Sequence, residues 1–325
     1  MPTYDLLCIG RSSLDLFANE LGAAFADVKT FSAFVGGSPT NICVAAHRLG
    51  LKTVMLTGMG DDYVSQFLLK FLEGEGVETR YIAFKPGFNT NTVLVALQPP
   101  EQMQFVAYHA NNADLELTFD DMVNAPLADS RVVLFSGMCF LKEPIRSATQ
   151  FAVEQARQAG AAIYMDLDYR KPMWSDMRTY GITTRLILPL VDVALGTHDE
   201  LCAAAGVSQI DAAIEALLTR VQEAVVYKQG AEGATVYTVD GGVYKAAPFQ
   251  VEVVNFLGAG DAFAGGFIWA RLNGWGWRKA ARLGNACGAL IVSQQGTGNA
   301  MARLDEVVAF VEANGGWRVE AEAEG

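Results

Sequence analysis

Residues 255–267 read NFLGAGDAFAGGF, so that a single acid, Asp261, follows a run of small residues and leads an apolar, helix-forming segment. Gly258, Ala259 and Gly260 predict a tight turn that opens a helix, and the first N–H groups of a helix have no intrahelical partner. With the helix dipole, such N–H groups form an anion site that a phosphate can approach closely. An acid at this point can accept a proton from a hydroxyl that attacks a phosphoryl group. The alternative is that Asp261 is only a favourable first-turn acid.

Outward from this stretch, strands and helices alternate along most of the chain. Short apolar runs predict strands at 4–10, 52–58, 130–137, 161–168, 191–196 and 223–230. Helical spacing and flanking glycine or proline predict helices at 39–50, 63–76, 144–160, 199–220, 260–273, 277–294 and 304–313. The alternation indicates an α/β fold, a layered sandwich whose mostly parallel central sheet is covered by helices on both faces.

Two segments, 12–35 and 88–112, interrupt the alternation. The second contains two apolar runs joined by a Pro-rich turn, which predicts a pair of strands. We expect the two segments to form a small separate β element inserted into one domain that spans residues 1–325. A further hairpin is predicted at 233–248, with Asp-Gly-Gly at its tip.

The composition is typical of a folded globular protein, with 325 residues of which 51% are apolar and 18% charged. The formal charge of −12 argues against nucleic acid or an anionic membrane surface as the main partner, although a local site can still bind a small anion. No apolar run approaches the ~20 residues that span a bilayer. The five scattered cysteines predict buried free thiols and a reducing, cytoplasmic setting.

Several common catalytic motifs are absent from the sequence. It contains no Gly-Lys pair and hence no Walker loop, no G-x-S-x-G and no H-E-x-x-H. Gly58 and Gly60 begin a dinucleotide-like pattern, but Tyr63 occupies the third glycine position. This departure counts against a nicotinamide-dependent dehydrogenase, which otherwise suits a doubly wound sheet.

Two more clusters follow predicted strands and therefore point to the same crevice, at the carboxyl ends of parallel strands. Gly36 and Gly37 permit close backbone approach, and Asn41 follows in the first helical turn. Asp15 follows the first strand and could accept hydrogen bonds from two sugar hydroxyls. Taken singly, these features are equally consistent with a tight turn, a helix start and a solvated loop acid.

Together, the motifs resemble those of a known enzyme family. Gly36-Gly37 with Asn41, Gly50 and Gly60 resembles the N-terminal signature of the ribokinase-like (PfkB) sugar kinases, and GAGDAFAGGF at 258–267 resembles their C-terminal signature. The resemblance implies a Rossmann-like three-layer sandwich with a small β-sheet lid, and Mg-ATP as phosphoryl donor. It also implies that Asp261 is the catalytic base and that the backbone of Gly258, Ala259 and Gly260 forms the anion hole.

The resemblance also implies roles for other positions. Four match sugar-contacting residues, namely Asp15, Gly36, Gly37 and Asn41. Five match or neighbour nucleotide-binding residues, namely Lys228, Gly230, Gly233, Asn285 and Gly298. Glu200 matches the acid of an N-x-x-E motif that acts on Mg²⁺ through water. Related kinases pair through their lids, so that a homodimer is expected.

Two departures from the family pattern bear on the bound ions. Thr197 stands where the N-x-x-E motif has asparagine, so the water network around Mg²⁺ is expected to differ. Asn255 and Phe256 replace the Asp-Thr pair that helps many members to bind a monovalent cation, which argues against activation by potassium.

Within the family, NFLGAGDAF, IGRSSLDLF, VGGSPTN and MDLDYRKPMW resemble the branch that phosphorylates 5-dehydro-2-deoxygluconate, and the 2-keto-3-deoxygluconate kinases are close relatives. Arg170 follows a strand, where its guanidinium could hold a sugar-acid carboxylate, or it could be a surface or ion-paired arginine. Tyr108 and His109 occupy a lid position where related kinases often have Tyr-Arg, and His109 is the weaker carboxylate partner.

The leading hypothesis is thus an ATP-dependent sugar-acid kinase. Ribokinase, fructokinase and nucleoside kinase activities remain open alternatives within the family. A nicotinamide-dependent dehydrogenase and a non-catalytic sugar- or nucleotide-binding regulator are the alternatives from other classes, and the intact Asp261 argues against the regulator.

Overall fold

The computed structural model describes residues 2–98, 102–108 and 110–317. Its strands are β1 Tyr4–Ile9, β2 Ser13–Ala18, β3 Phe31–Gly36, β4 Thr53–Leu56, β5 Gly58–Met59, β6 Ala83–Phe84, β7 Asn91–Gln98, β8 Gln102–Tyr108, β9 Ser130–Ser136, β10 Ala162–Asp166, β11 Val193–Gly196, β12 Ala224–Lys228, β13 Ala234–Thr238 and β14 Val243–Ala246. Its α-helices are α1 Ser38–Arg48, α2 Tyr63–Glu75, α3 Phe119–Val123, α4 Ile145–Gln158, α5 Met177–Ile187, α6 His198–Ala205, α7 Ile210–Leu218, α8 Ala259–Leu272, α9 Trp277–Val292 and α10 Leu304–Ala313.

The central sheet has eight strands in the order β14-β13-β12-β11-β10-β9-β1-β4. Six of them, from β4 to β12 in this order, are parallel, while β13 and β14 are antiparallel at one edge. The last four residues of β1, Leu6 to Ile9, are fully buried because helices cover both faces of the sheet. The prediction of a mostly parallel sheet between two helical layers is confirmed.

Close helix packing explains two glycines inside α8. A Cβ on Gly265 would lie 2.6 Å from the Cβ of Ala45 in α1, and a Cβ on Gly266 would lie 2.7 Å from the sulfur of Cys287 in α9. The low helix propensity of glycine is therefore offset by close approach of α8 to both neighbours. This packing fixes the position of the first turn of α8 relative to α1.

The segments that interrupt the alternation form a small sheet with the order β3-β2-β7-β8. Its apolar side buries Phe17, Val95 and Leu97 against Phe256 and Leu257, which lead into α8. The predicted separate β element is therefore present, and it packs directly on the segment that precedes Asp261.

Several elements escape the sequence patterns: the helices α3 and α5 and the two-stranded pair of β5 and β6. Gly181 interrupts the helical pattern of α5, yet a Cβ there would lie 2.5 Å from the carbonyl oxygen of Ala203 in α6.

Within the described ranges, no single helix is long and apolar enough to cross a membrane. The helices α6 and α7, which are bent by 58° at their break, meet the length and composition criteria only as a pair.

Candidate active site

The first turn of α8 presents both an anion site and a carboxylate. Gly258 caps the helix in the left-handed region, with φ of 82°, and Ala262 donates to its carbonyl oxygen at 2.8 Å. The N–H groups of Ala259, Gly260 and Asp261 come before this first helical hydrogen bond and have no partner within the helix. The buried Asp261 accepts a hydrogen bond on Oδ2 from Nδ2 of Asn41 at 2.8 Å. The free N–H groups at the start of α8 and the Asp261 carboxylate therefore belong to the same helical turn.

The environment of Asp261 suits a base that works near neutral pH. Burial raises its pKa to about 7, the nearby negative charge of Asp166 adds to the rise, and the hydrogen bond from Asn41 opposes it. A carboxylate with a pKa near 7 is still ionised in about half the molecules at that pH and holds a proton more readily than an ordinary aspartate.

A lysine with only 9% of its side chain exposed lies directly beside this turn. The ammonium of Lys228 donates to Oδ1 of Asp166 at 2.8 Å and lies 3.9 Å from Oε2 of Glu200. A Cβ on Gly260 would be 3.2 Å from Nζ of Lys228, so glycine leaves room for the ammonium next to the free N–H groups. Burial lowers the pKa of Lys228, but the charges of Asp166 and Glu200 outweigh burial and raise it. The anion site is therefore reinforced by a fixed positive charge.

Glu200, predicted to act on Mg²⁺ through water, lies in the same acidic group. Its Oε2 accepts a hydrogen bond from the backbone N–H of Thr197 at 2.7 Å in a capping box at the start of α6. Thr197, which stands where the family motif has asparagine, therefore serves as the N-cap. Burial raises the pKa of Glu200, while the charge of Lys228 opposes that rise.

A cavity of about 330 Å³ opens between the first turn of α8, the loop after β10 and the small sheet. It brings together six residues predicted from distant segments: Asp15, Gly37, Asn41, Arg170, Gly258 and Asp261. Its volume lies at the lower end of the range for small-molecule sites. The loops that carry these residues therefore meet at one crevice.

Gly36 and Gly37 make room for protein atoms in this cavity. A Cβ on Gly36 would overlap the carboxylate of Asp15, and a Cβ on Gly37 would overlap the backbone carbonyl of Arg11. Asp15 also accepts a hydrogen bond from Oγ of Ser13 at 2.7 Å. Burial raises the pKa of Asp15 to about 6, against the opposing effects of Ser13, Arg11 and Arg170. Gly36 therefore leaves room for the Asp15 carboxylate at the cavity wall.

The loop after β10 carries Arg170 into the cavity. Nε of Arg170 donates to Oδ1 of Asp168 at 2.6 Å, while half of the arginine side chain stays exposed. Asp168 adopts a left-handed backbone with φ of 39°, and the hydroxyl of Tyr180 in α5 donates to the carbonyl oxygen of Leu167 at 2.7 Å. The guanidinium is thus held at a cavity wall with part of its surface free.

The structure does not bring Tyr108 to the cavity. Phe105 and Ala107 of β8 line it, and successive strand residues point to opposite faces, so that Tyr108 points away. Tyr108 is 62% exposed and borders a separate hollow beside Asp62. His109 lies outside the described residues.

The residues predicted to bind nucleotide fall into two places. A Cβ on Gly233 would overlap the carbonyl oxygen of Ala246, and Nδ2 of Asn285 donates to the carbonyl oxygens of Ala246 and Ala247 at 2.9 Å each. The turn that contains Gly230 and Gly233, the end of β14 and α9 are therefore held together beyond Lys228. The Asn285 amide nitrogen is engaged by backbone in this arrangement.

Gly298 lies elsewhere, against the connection between β3 and α1. A Cβ there would be 2.8 Å from the carbonyl oxygen of Val35 and 3.2 Å from Oδ1 of Asn41. Gly298 therefore packs against Asn41, whose side chain donates a hydrogen bond to Asp261.

Asn255 links two loops next to the start of α8. Its Nδ2 donates to the carbonyl oxygen of Gly296 at 2.8 Å, and its Oδ1 accepts from the N–H of Leu257 at 2.9 Å. The side chain is buried, so a neutral amide donor already satisfies a loop carbonyl that could otherwise face a cation.

Exchange of potassium for tetramethylammonium is therefore expected to change the turnover rate by no more than about threefold, a range that general salt effects can cause. Steady-state rates at constant ionic strength measure this. The matched variant Asn255→Asp restores a negative charge and should gain dependence on potassium. A wild-type rate that collapses without potassium contradicts the expectation.

Sequence reasoning missed Arg11, Asp166 and Asp168 as site residues. Both aspartates stand at the carboxyl end of a predicted strand, and Arg11 comes directly after another, so their positions carried a usable signal. The partners of Arg11 and Asp166, in contrast, come from remote segments, whereas Asp168 pairs with Arg170 two positions away.

The architecture and this site are those of a ribokinase-like phosphotransferase that acts on a sugar hydroxyl. Residues 4–303 match the model of the pfkB family carbohydrate kinases, and the chain belongs to this family. It is 32% identical over 313 residues to a 5-dehydro-2-deoxygluconokinase from Geobacillus thermodenitrificans, covering 95% of this chain and 93% of that protein.

Two solved structures share the fold. One, from E. coli, is assigned as a ribokinase II in complex with ATP and Mg²⁺, with a TM-score of 0.87, 24% identity and coverage of 95% of this chain and 99% of that chain. The other is a double mutant of fructokinase from Vibrio cholerae in its fructose-, ADP- and potassium-bound form, with a TM-score of 0.84, 25% identity and coverage of 95% and 98%.

Proposed function

We propose that this kinase transfers the γ-phosphoryl group of ATP to the terminal hydroxyl of 5-dehydro-2-deoxygluconate. The observation that carries the proposal is the placement of the Asp261 carboxylate at the cavity wall, in the same helical turn as the free N–H groups of Ala259 and Gly260. The name of the relative from Geobacillus thermodenitrificans supports the choice of substrate. 2-Keto-3-deoxygluconate, fructose and ribose are the alternative acceptors.

In this mechanism Asp261 accepts the proton of the attacking hydroxyl. Asn41 holds the carboxylate in place through Oδ2, leaving Oδ1 for the substrate. The N–H groups of Ala259 and Gly260 and the ammonium of Lys228 stabilise negative charge on the transferring group. Because these dipoles and the ammonium are fixed before the substrate binds, little reorganisation accompanies the reaction.

The acids beside Lys228 fit a magnesium ion that is held mainly by the phosphates of the nucleotide. In the part of the chain that the structure describes, no three His, Cys, Asp or Glu side chains are grouped so as to hold a metal by themselves. Mg²⁺ in kinases keeps several waters and needs only one or two carboxylates. Asp166 and Glu200 are the residues that would face its water shell, and the bound ion would neutralise phosphate charge.

An ADP-release assay over four acceptors tests the proposal: 5-dehydro-2-deoxygluconate, 2-keto-3-deoxygluconate, D-fructose and D-ribose. We expect the highest kcat/KM with 5-dehydro-2-deoxygluconate. Preference for a neutral sugar would refute the substrate, and absence of ADP release with every acceptor would refute the kinase activity.

We also propose that two copies pair through their small sheets. Val106 and Tyr108 are exposed apolar side chains on the face of the edge strand β8 that points away from the cavity, which supports this surface as the contact. Light scattering should give twice the 35.0 kDa mass of one chain, whereas a single-chain mass contradicts the pairing.

A further inference from the structure

Arg11, in the connection between β1 and β2, is a second guanidinium in the cavity that holds Arg170. Only 15% of its side chain is exposed. Nε of Arg11 is buried and has no hydrogen-bond acceptor among the described residues. An arginine carries five N–H donors, and leaving such donors unpaired in a buried place is costly. The side chain therefore has capacity to bind an anion.

Arg11 is also held firmly by its backbone. Its carbonyl oxygen accepts a hydrogen bond from Oγ1 of Thr40 at 2.9 Å and lies against Gly37. The next residue, Ser12, shares a hydrogen bond of 2.5 Å with the same Thr40 hydroxyl. The guanidinium consequently starts from a fixed point, which lowers the entropy lost when a ligand binds.

The acid nearest to Arg11 does not satisfy it. Oδ2 of Asp114 is 3.7 Å from Nε of Arg11, which is too long for a hydrogen bond, and Oδ1 of Asp114 is itself buried without a partner in the described structure. Asp114 thus balances the charge of Arg11 without accepting a hydrogen bond from its Nε. Arg170 differs in that Asp168 already accepts from its Nε.

The two guanidinium groups are near the same point. Both arginines act on the carboxyl of Asp15 and lower its pKa, opposing the effect of burial. Arg170 also opposes the rise in the pKa of Asp261, and both arginines line the same cavity.

We propose that Arg11 and Arg170 together form a carboxylate subsite, in which Arg11 selects sugar acids over neutral sugars. The inference rests on the proposed function, because it assigns the acid end of the proposed substrate to this part of the cavity. The carboxylate supplies an acceptor for the part of the Arg11 side chain that lines the cavity, and the hydroxyl end of the substrate extends past Arg170 towards Asp261. A planar guanidinium fork suits a carboxylate better than an ammonium does.

The test measures kcat and KM of Arg11→Met, Arg170→Met and the double variant with 5-dehydro-2-deoxygluconate. D-fructose, as substrate or competitive inhibitor, is the neutral comparison. Loss of charge-assisted hydrogen bonds should raise KM for the acid by about 10- to 100-fold in Arg11→Met and change the fructose constant by less than about threefold. Because both arginines would bind the same carboxylate, the increase in KM for the double variant should be smaller than the product of the two single increases.

Two further variants separate binding from folding. Arg11→Met leaves Asp114 as an unpaired buried acid, so the paired variant Arg11→Met with Asp114→Asn removes both charges and should fold. Asp114→Asn alone should leave KM for the acid unchanged or lower. Arg11→Lys should recover only part of the affinity, because it keeps the charge and loses the fork.

The outcomes distinguish this inference from the proposed function. If wild type phosphorylates the acid and the Arg11 variants keep its KM, or shift the acid and fructose constants equally, the Arg11 subsite is wrong and the proposed function stands. If wild type uses fructose and neither turns over nor binds the acid in calorimetry, the proposed substrate is wrong and the subsite falls with it.

Discussion

Asp261→Asn is expected to bind ATP with nearly unchanged affinity and to lose at least ~10² in kcat, since general-base catalysis contributes factors of this size. Asparagine has almost the shape of aspartate, so the first turn of α8 keeps its backbone geometry and its free N–H groups. It cannot accept the proton of the sugar hydroxyl. Steady-state kinetics combined with calorimetric ATP titration separates these two effects.

Asp305 offers the matched control for this substitution. It is also an acid in the first turn of a helix, α10, but lies outside the cavity. Asp305→Asn should lower the stability of the fold by at most about 1 kcal/mol, which is what a first-turn acid contributes through the helix dipole. It should leave kcat unchanged. If Asp261→Asn behaves like Asp305→Asn, Asp261 is merely a favourable first-turn acid.

The pH dependence of the wild type provides a second readout of the same residue. The base must be ionised, and burial together with Asp166 raises the pKa of Asp261 to about 7. We therefore expect kcat/KM to be full above this pKa and to fall with decreasing pH below it, tenfold per unit. Loss of this acidic limb in Asp261→Asn would assign it, whereas a limb near the ordinary aspartate value would contradict a buried base.

Lys228→Met is expected to lower kcat by ~10² or more, the usual loss when one preorganised charge-stabilising group is removed. It should also destabilise the fold by about 3–5 kcal/mol, because it leaves buried carboxylates without their cation. Asp166 and Glu200 both face the ammonium, at 2.8 and 3.9 Å. Chemical denaturation and single-turnover kinetics measure the two losses separately.

The pH dependence of that instability has a definite sign. Burial raises the pKa of Glu200, and the charge of Lys228 lowers it. Removal of Lys228 should therefore raise this pKa further, so that Glu200 holds its proton more tightly in the folded state. An acid with a raised folded pKa favours folding at low pH and loses that contribution as pH rises through its folded pKa. The loss in free energy of unfolding caused by Lys228→Met should therefore become larger as the pH increases.

Lys228→Met combined with Asp166→Asn is the control for the Lys228 prediction. Removing Lys228 together with its hydrogen-bonded partner should recover part of the stability, because only Glu200, 3.9 Å from the ammonium, is left without its cation, but should not recover kcat. Recovery of full turnover in this double variant would show that Lys228 serves the fold alone.

The arrangement of strands and helices could be predicted because it depends on local patterns. Parallel strands buried on both faces are short apolar runs, and glycine or proline marks most helix ends, as Gly76 does for α2. The helix α5 cannot be predicted in this way, because Gly181 and three threonines weaken its pattern. Close packing on α6 requires that glycine, and a contact between distant segments cannot be seen in local sequence.

The same limit applies to the site. Asp261 and Asn41 could be predicted separately from their motifs, but their hydrogen bond joins residues 220 positions apart. The ion pair of Lys228 with Asp166 spans 62 positions. The face of the small sheet on which the Tyr108 side chain lies depends on the register of β8 against β7. A shift of one residue would place this side chain on the opposite face.

A crystal structure with a non-hydrolysable ATP analogue and 5-dehydro-2-deoxygluconate tests the central claim most directly, namely that proton removal and phosphate stabilisation occur at the first turn of α8. We predict the acceptor hydroxyl within about 3 Å of an Asp261 carboxylate oxygen and the terminal phosphorus within about 5 Å of it, as in-line attack requires. A terminal phosphorus more than about 7 Å from that carboxylate, with both ligands bound, would contradict the account.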